Sequence, residues 1–290
     1  MKIIECPRDA MQGLAEFVPT EQKVKYLQTL LEVGFDSLDF GSFVSPKAIP
    51  QMRDTAQVLA QLDTTVSATK LLAIVANVRG AQQAAEQALI RYIGFPLSLS
   101  EEFQKRNTNK SIAEALTEVA QMQELCGQHN KELVLYLSMG FGNPYGEPWE
   151  PALAGEMTRQ LDALGIRVIS LSDTIGVSNP ATIQDLFSTL ITAFPHIEFG
   201  AHLHTSPSTW REKVAAAYES GCRRMDGALL GYGGCPMAKD ELVGNMPTEK
   251  MLSYLQEKGV PLGLNQEALS RSLQQASHVF HSLLNRCHSR

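Results

Sequence analysis

Glu198-Phe-Gly-Ala-His-Leu-His-Thr205 is a short apolar run that ends in two histidines one residue apart. Read as a strand, it sends residues i and i+2 to the same side, so His202 and His204 present both imidazoles to one spot. That arrangement suits a metal ion, although a histidine at a strand end is also often a hydrogen-bonded core or surface residue. Upstream lie a second β-type run, Arg167–Leu171, and a segment of helical period, Ala181–Ala193. Downstream, Thr209–Ser220 has helical period and Arg224–Leu229 is again β-type, so the stretch sits inside repeated strand–helix units.

The same alternation runs from the start of the chain about eight times. The other strands are expected at Ile3–Cys6, Ser37–Phe40, Leu71–Ala76, Ile90–Phe95 and Leu133–Met139. The other helices are expected near Glu21–Val33, Pro50–Gln61, Ala81–Gln87, Ser111–Cys126, Glu150–Leu164 and Thr248–Gln256. Gly34, Gly165, Gly221 and Gly259 follow helices where a left-handed closing residue is cheap only without a Cβ. Eight β/α units without a long linker imply an α/β chain closed as a (β/α)8 TIM barrel over residues 1–262. An open doubly wound sheet is the runner-up, disfavoured by the lack of a Gly-x-Gly-x-x-Gly turn after the first strand. Residues 263–290 read as a C-terminal helical extension. Leu269, Leu273, Ala276, Val279, Phe280 and Leu283 form a stripe there that packs on the barrel or on a partner subunit.

With 44% hydrophobic residues among 290, a large core is available. The net charge of −6 and the lack of a basic run argue against nucleic acid or an anionic membrane as partner, leaving a small molecule. No apolar stretch approaches the ~20 residues of a membrane span, and the N-terminal residues carry no signal or transit character. A cytoplasmic location is expected. Five scattered cysteines, Cys6, Cys126, Cys222, Cys235 and Cys287, read as thiols rather than a disulfide framework.

Active sites of such barrels collect at the C-terminal strand ends. Strand 1 runs into Pro7-Arg8-Asp9, which is either a local ion pair or part of a site. Strand 2 carries Asp39 among apolar residues, where an acid must be paired, hydrogen-bonded or beside a metal. Strand 6 ends at Asp173 on a glycine-containing turn, and strand 8 leads to Gly231-Tyr-Gly-Gly-Cys235, a lone cysteine bracketed by glycines. Buried cysteines are mostly inert, so Cys126 and Cys222 read as inert and Cys235 as the exception. Two histidines, an aspartate and an asparagine form a mixed N/O set with room for substrate oxygens. This suits an open octahedral site for Mg²⁺ or Mn²⁺ better than a closed structural zinc site.

At these residues the sequence resembles the 3-hydroxy-3-methylglutaryl-CoA lyase family of metal-dependent lyase and Claisen-synthase barrels. The resemblance covers most of the chain. It rests on Pro7-Arg-Asp9, Ser42-Phe-Val-Ser-Pro-Lys47 with Pro50-Gln-Met52, Ser172-Asp-Thr-Ile-Gly-Val177, His202-x-His204 and Gly233-Gly-Cys-Pro236, in family order. It implies metal ligands at Asp9, His202, His204 and Asn245, a catalytic arginine at Arg8 and a proton donor at Cys235. Asp173 and Asp39 match acidic family positions, with Asp173 implied in deprotonating the substrate hydroxyl. Glu249 matches a position that would support the ligand loop from behind. The surroundings of Lys47, Lys105 and Arg106 would take coenzyme A, or serve only as solvated charge. The chain departs from better-known members at Asp39, where they have Glu, and in its first loop and cysteine loop.

The implied reaction is cleavage of 3-hydroxy-3-methylglutaryl-CoA to acetyl-CoA and acetoacetate, as in leucine breakdown, by a homo-oligomer such as a dimer. A related aldolase or Claisen-type synthase acting on a 2-oxo acid or another 3-hydroxyacyl-CoA is the alternative. A binding barrel that has lost catalysis is a third reading.

Overall fold

The computed structural model describes residues 1–234 and 243–287, with side chains described as far as Phe280. Strand β1 (Lys2–Glu5) is followed by α1 (Pro7–Gln12) and α2 (Thr20–Val33), then β2 (Ser37–Ser42) and α3 (Thr55–Leu59). Next come β3 (Lys70–Ile74), α4 (Val78–Ala85), β4 (Ile90–Ser98), α5 (Glu101–Thr108) and α6 (Ile112–Gln128). The second half runs β5 (Glu132–Ser138), α7 (Pro151–Ala163), β6 (Val168–Asp173), α8 (Pro180–Ala193), β7 (Glu198–Thr205), α9 (Trp210–Glu219) and β8 (Arg224–Gly227). A two-residue strand β9 (Gly244–Asn245), α10 (Thr248–Glu257) and α11 (Gln266–Cys287) complete it.

Strands β1 to β8 pair in parallel with their sequence neighbours, and β1 pairs with β8, so the sheet closes into a (β/α)8 barrel. The strands are covered on both faces, and their continuous β-branched and aliphatic runs follow from that. Leu133, Leu135 and Leu137 of β5 turn to the layer under the helices, while Val134 and Tyr136 turn into the barrel with Leu72, Ile74, Tyr92 and Val168. Helix starts are fixed locally: Ser111 and Asn179 accept from the backbone N–H three residues on, each in a reciprocal capping box. The glycines expected to close helices do so, Gly34 at φ 84°, Gly165 at 82°, Gly221 at 93° and Gly259 at 74°.

Three features differ from the periodicity reading. The helix expected over Pro50–Gln61 splits into a short 3-10 turn, Pro50–Met52, and α3, with Arg53 and Asp54 between them. Two unforeseen helices, α1 and α5, occupy strand-to-helix loops on the site side. Both are too short for a periodic apolar stripe to register.

Helix α11 lies against α2. Arg271 donates to Glu32 at 2.6 Å, and the Phe280 ring meets Tyr26 edge-on with centroids 6.2 Å apart. Among the described residues no helix is long and apolar enough to cross a membrane.

Candidate active site

Proline at the first position of α1 starts that helix one residue after β1, where its missing N–H costs nothing. Arg8 and Asp9 are thereby held at the C-terminal mouth of the barrel, both buried. Arg8 is clamped on three sides. Its Nε and Nη2 donate to Asp39 at 3.0 and 2.6 Å, and its Nη1 donates to Asp9 at 3.1 Å and to the Gln12 carbonyl oxygen at 2.7 Å. Burial alone would favour a neutral guanidine, but the charges of Asp39 and Asp9 outweigh it and hold the Arg8 pKa above its usual value. The Pro7-Arg8-Asp9 segment is therefore an ion pair and part of the site together.

On β7 the two histidines point to one side, with ring centroids 5.4 Å apart. Each is oriented through Nδ1: that of His202 lies 3.2 Å from Asp226 Oδ2, and that of His204 lies 2.9 Å from the Thr174 carbonyl oxygen. The Nε2 of His204 is buried and finds no hydrogen-bond partner among the described residues. A buried ring nitrogen left bare is expensive unless something ligates it. Burial, and then the neighbouring His202, push the His204 pKa down to about 4, so this imidazole is neutral, the form that binds cations. Burial works the same way on His202, but Asp226 outweighs it and its pKa is raised. One ligand atom from each of Asp9, His202 and His204 lies within 4.8 Å of the others. This donor set fits a divalent cation.

Asn245 is brought in by strand pairing. β9 runs antiparallel to β7 and sets Asn245 opposite His204. Its amide nitrogen donates to Asp9 at 2.8 Å and to the Tyr232 carbonyl oxygen at 2.9 Å. Gly233, at φ 88°, lets the backbone close over this contact, since a Cβ there would lie 2.7 Å from the Asn245 amide nitrogen and 2.8 Å from the Asp9 carbonyl oxygen. Asp9, His202, His204 and Asn245 thus come together from α1, β7 and β9. Cys235 lies outside the described residues.

The remaining expected residues are placed differently. Asp173 is buried behind the strand ends, 2.7 Å from Lys213 Nζ, and also accepts from Ser178 Oγ at 2.5 Å. Its carboxylate is taken up by these donors, and Asp173 is not among the residues that line the cavity, although its neighbours Ser172 and Thr174 are. The physical reason is the buried lysine, whose charge demands that partner. Glu249 accepts from the Leu230 N–H at 2.9 Å and so braces the turn after β8, where Leu230 takes φ 64°. Lys47 is exposed, and Lys105 is exposed beside Glu101 at 3.3 Å. Arg106, paired with Glu102 at 2.7 Å, reaches the edge of the cavity with Asn107.

That cavity, about 460 Å³, opens at the same barrel mouth. Arg8, Asp9, Gln12, Ser172, His202 and His204 form its polar side, and carbon lines the side formed by β3 and β4.

The family model described as HMGL-like matches residues 2–275. The chain belongs to the HMGL-like family. It is 32% identical to the mitochondrial hydroxymethylglutaryl-CoA lyase of Bos taurus, over 100% of this chain and 88% of that one. It is 29% identical to a Pseudomonas aeruginosa protein named 3-hydroxy-3-isohexenylglutaryl-CoA/hydroxymethylglutaryl-CoA lyase, over 91% of this chain and 87% of that one. Its backbone matches an HMG-CoA lyase from Acenitobacter baumannii, solved with coenzyme A and 3-methylmalate. The TM-score is 0.88 at 28% identity, covering 96% of this chain and 90% of that one.

Within this HMGL-like barrel, Gln12, Asp226 and Lys213 escape the sequence reading. Gln12 joins Arg8 to Asp9, donating to Asp9 at 2.7 Å, and sits one helical turn beyond Arg8 on a helix too short to foresee. Asp226 stands two residues after Arg224 on β8; that i, i+2 pair of charges on a strand inside a barrel was a usable signal. Lys213 gave none, because lysine on a helix reads as solvated by default.

Proposed function

We propose that this HMGL-like enzyme is a divalent-cation-dependent lyase that cleaves 3-hydroxy-3-methylglutaryl-CoA to acetyl-CoA and acetoacetate. The single observation that carries the reading is the convergence of Asp9, His202 and His204 beside Arg8 in one cavity. The names of the relatives and their full-length match supply the substrate. Mg²⁺ or Mn²⁺ suits a set that mixes two imidazoles with carboxylate and amide oxygens, Asn245 offering the last. When bound, the cation would supply acidity to the substrate's tertiary hydroxyl.

The chain's own residues contribute the rest. Neutral His204 offers a bare Nε2, with its ring fixed by Thr174. Arg8, immobilised by Asp39, holds a fixed positive charge where negative charge grows on the thioester oxygen as the C–C bond breaks. The hydroxyl loses its proton and becomes the ketone of acetoacetate, and the departing carbon takes a proton to become the methyl of acetyl-CoA. We assign that second proton to Cys235. Asp173 acts by holding Lys213, and Glu249 by bracing the turn before the cysteine loop. Arg106 and Asn107 at the cavity edge are better placed to meet coenzyme A than Lys47 or Lys105.

In this reading residues 1–262 are the catalytic barrel and 263–290 an extension that braces it. The buried thiols Cys6, Cys126 and Cys222 favour a reducing compartment, for which we propose the cytoplasm. The test is acetoacetate formation from 3-hydroxy-3-methylglutaryl-CoA by metal-stripped and Mg²⁺- or Mn²⁺-restored protein. Product that disappears with chelator and returns with cation is expected. Metal-bound protein that releases no acetoacetate would sink the proposal, and thiol release from acetyl-CoA with a 2-oxo acid would move it to a synthase.

A further inference from the structure

Behind His202 the barrel interior holds a second set of ligating atoms. Cys6 follows β1, His202 is on β7 and Asp226 is on β8, three neighbouring strands whose pairing sets Ile4 opposite Asp226 and Ala201 opposite Met225. One ligand atom from each of Cys6, His202 and Asp226 lies within 4.8 Å of the others. Cys6 and Asp226 are 1% and 2% exposed, and neither lines the cavity, so His202 stands between an open set with Asp9 and His204 and this closed one.

Hydrogen bonding leaves much of the closed set unused. Asp226 Oδ1 is buried with no partner among the described residues, and Cys6 Sγ makes a weak contact, 3.8 Å, to the Ile4 carbonyl oxygen. The Tyr136 hydroxyl, on the ring that meets His202 edge-on, is likewise buried and unpartnered among them. Buried oxygens left bare are expensive unless something ligates them. The separation of His202 Nδ1 and Asp226 Oδ2, 3.2 Å, is wide for a charge-assisted hydrogen bond, which closes to about 2.7–2.9 Å. It matches two ligands of one tetrahedral ion, which sit roughly 3.3 Å apart when each is about 2.0–2.1 Å from the metal. Thiolate, imidazole and carboxylate together are a zinc donor set, not a magnesium one, and the two anions balance a dication.

We propose that Cys6, His202 and Asp226 form a second metal site for a thiophilic dication such as Zn²⁺, and that filling it withdraws His202 from the catalytic cation. The withdrawal rests on the cation-dependent reading of the cavity; the site itself does not. On binding, the Cys6 thiol gives its proton to solvent and the imidazole proton passes from Nδ1 to Nε2, so His202 no longer ligates beside Asp9 and His204. Burial, and then the carboxylates of Asp226, Asp39 and Asp9, keep Cys6 a thiol in the metal-free chain. A dication at the thiol reverses that field. Mg²⁺ and Mn²⁺ prefer oxygen ligands and do not compete for the sulfur.

The experiment titrates metal-stripped protein with Cd²⁺, a spectroscopic stand-in for Zn²⁺, and follows the ultraviolet thiolate-to-metal charge-transfer band. Cys235→Ala is the parent protein, which takes the cysteine of the glycine loop out of the signal. A saturable band in the parent that disappears when Cys6→Ala or the isosteric Cys6→Ser is added is expected. No band in the parent, or one of equal amplitude in all three proteins, would overturn the site. Titration with paramagnetic Mn²⁺ then reads the consequence. Cys6→Ser should raise the Cd²⁺ concentration that displaces Mn²⁺ by about tenfold or more, and an unchanged concentration would overturn the sharing of His202. Mn²⁺ bound by none of the proteins would end the cation reading of the cavity, while the Cd²⁺ band would still decide the second site.

Discussion

Lys213 is the residue on which the polar side of the mouth hangs. Its ammonium, almost fully buried, donates to Asp173 at 2.7 Å, to the His204 carbonyl oxygen at 2.9 Å and to the Gly176 carbonyl oxygen at 3.0 Å. It therefore ties the turn after β6, whose Thr174 carbonyl orients His204, to the strand end that carries His204. Lys213→Met leaves Asp173 buried without its cation, at a cost of about 3–5 kcal/mol. Urea titration should show that loss, and adding Asp173→Asn should recover part of it; a double variant no better than the single would contradict the pairing. Glu5 supplies a pH dependence of its own. Burial raises its pKa to about 8 from the usual 4.5, even though Thr248 and the Leu229 N–H both donate to it. Between those values the folded chain keeps a proton that the unfolded chain releases, so stability falls as pH rises through the window. Glutamine keeps both hydrogen bonds, accepting from Leu229 and donating to Thr248, without the ionisation. Melting of Glu5→Gln and wild type at pH 5, 7 and 9 should diverge in favour of the variant as pH rises, and parallel curves would refute the buried-acid account.

Among the elements, α11 does more than cover α2. Phe280, fully buried, stacks on Tyr232 with centroids 4.4 Å apart and planes 22° apart. Tyr232 stands in the loop after β8, and its carbonyl oxygen receives the Asn245 amide. The helix thus reaches the site through one aromatic pair. Phe280→Ala should cost about 3–5 kcal/mol in unfolding free energy. It should also weaken Mn²⁺ binding, followed by titration of the paramagnetic ion; unaltered Mn²⁺ affinity with the expected stability loss would restrict α11 to a packing role. Helix α1 shows the opposite economy. Its six residues put only Ala10 and Met11 into the core, yet Arg8, Asp9 and Gln12 all project from it. What holds it is the proline start, the buried Met11 and the ion pair to Asp39 on β2.

At the scale of the whole molecule, the barrel was legible because each strand–helix unit writes its own periodicity, and burial on both faces makes the strands read as apolar runs. His202 and His204 were legible because a strand's period of two fixes their common side whatever surrounds them. The pairing of Arg8 with Asp39 was half legible: an acid among apolar residues demands a partner, but nothing local names it. Asp173 went the other way, since its environment is set by a lysine 40 residues later on a helix. Sequence by itself determined the fold class, the strand-end positions of the site and the cation-binding chemistry of its residue types, because these follow from local periodicity and functional groups. Tertiary structure alone decided which acid faces the cavity and which is buried behind it, how Asn245 meets His204, and that one half of the mouth is carbon. Those depend on contacts between segments far apart in the chain, and no local pattern encodes a distance across a closed barrel.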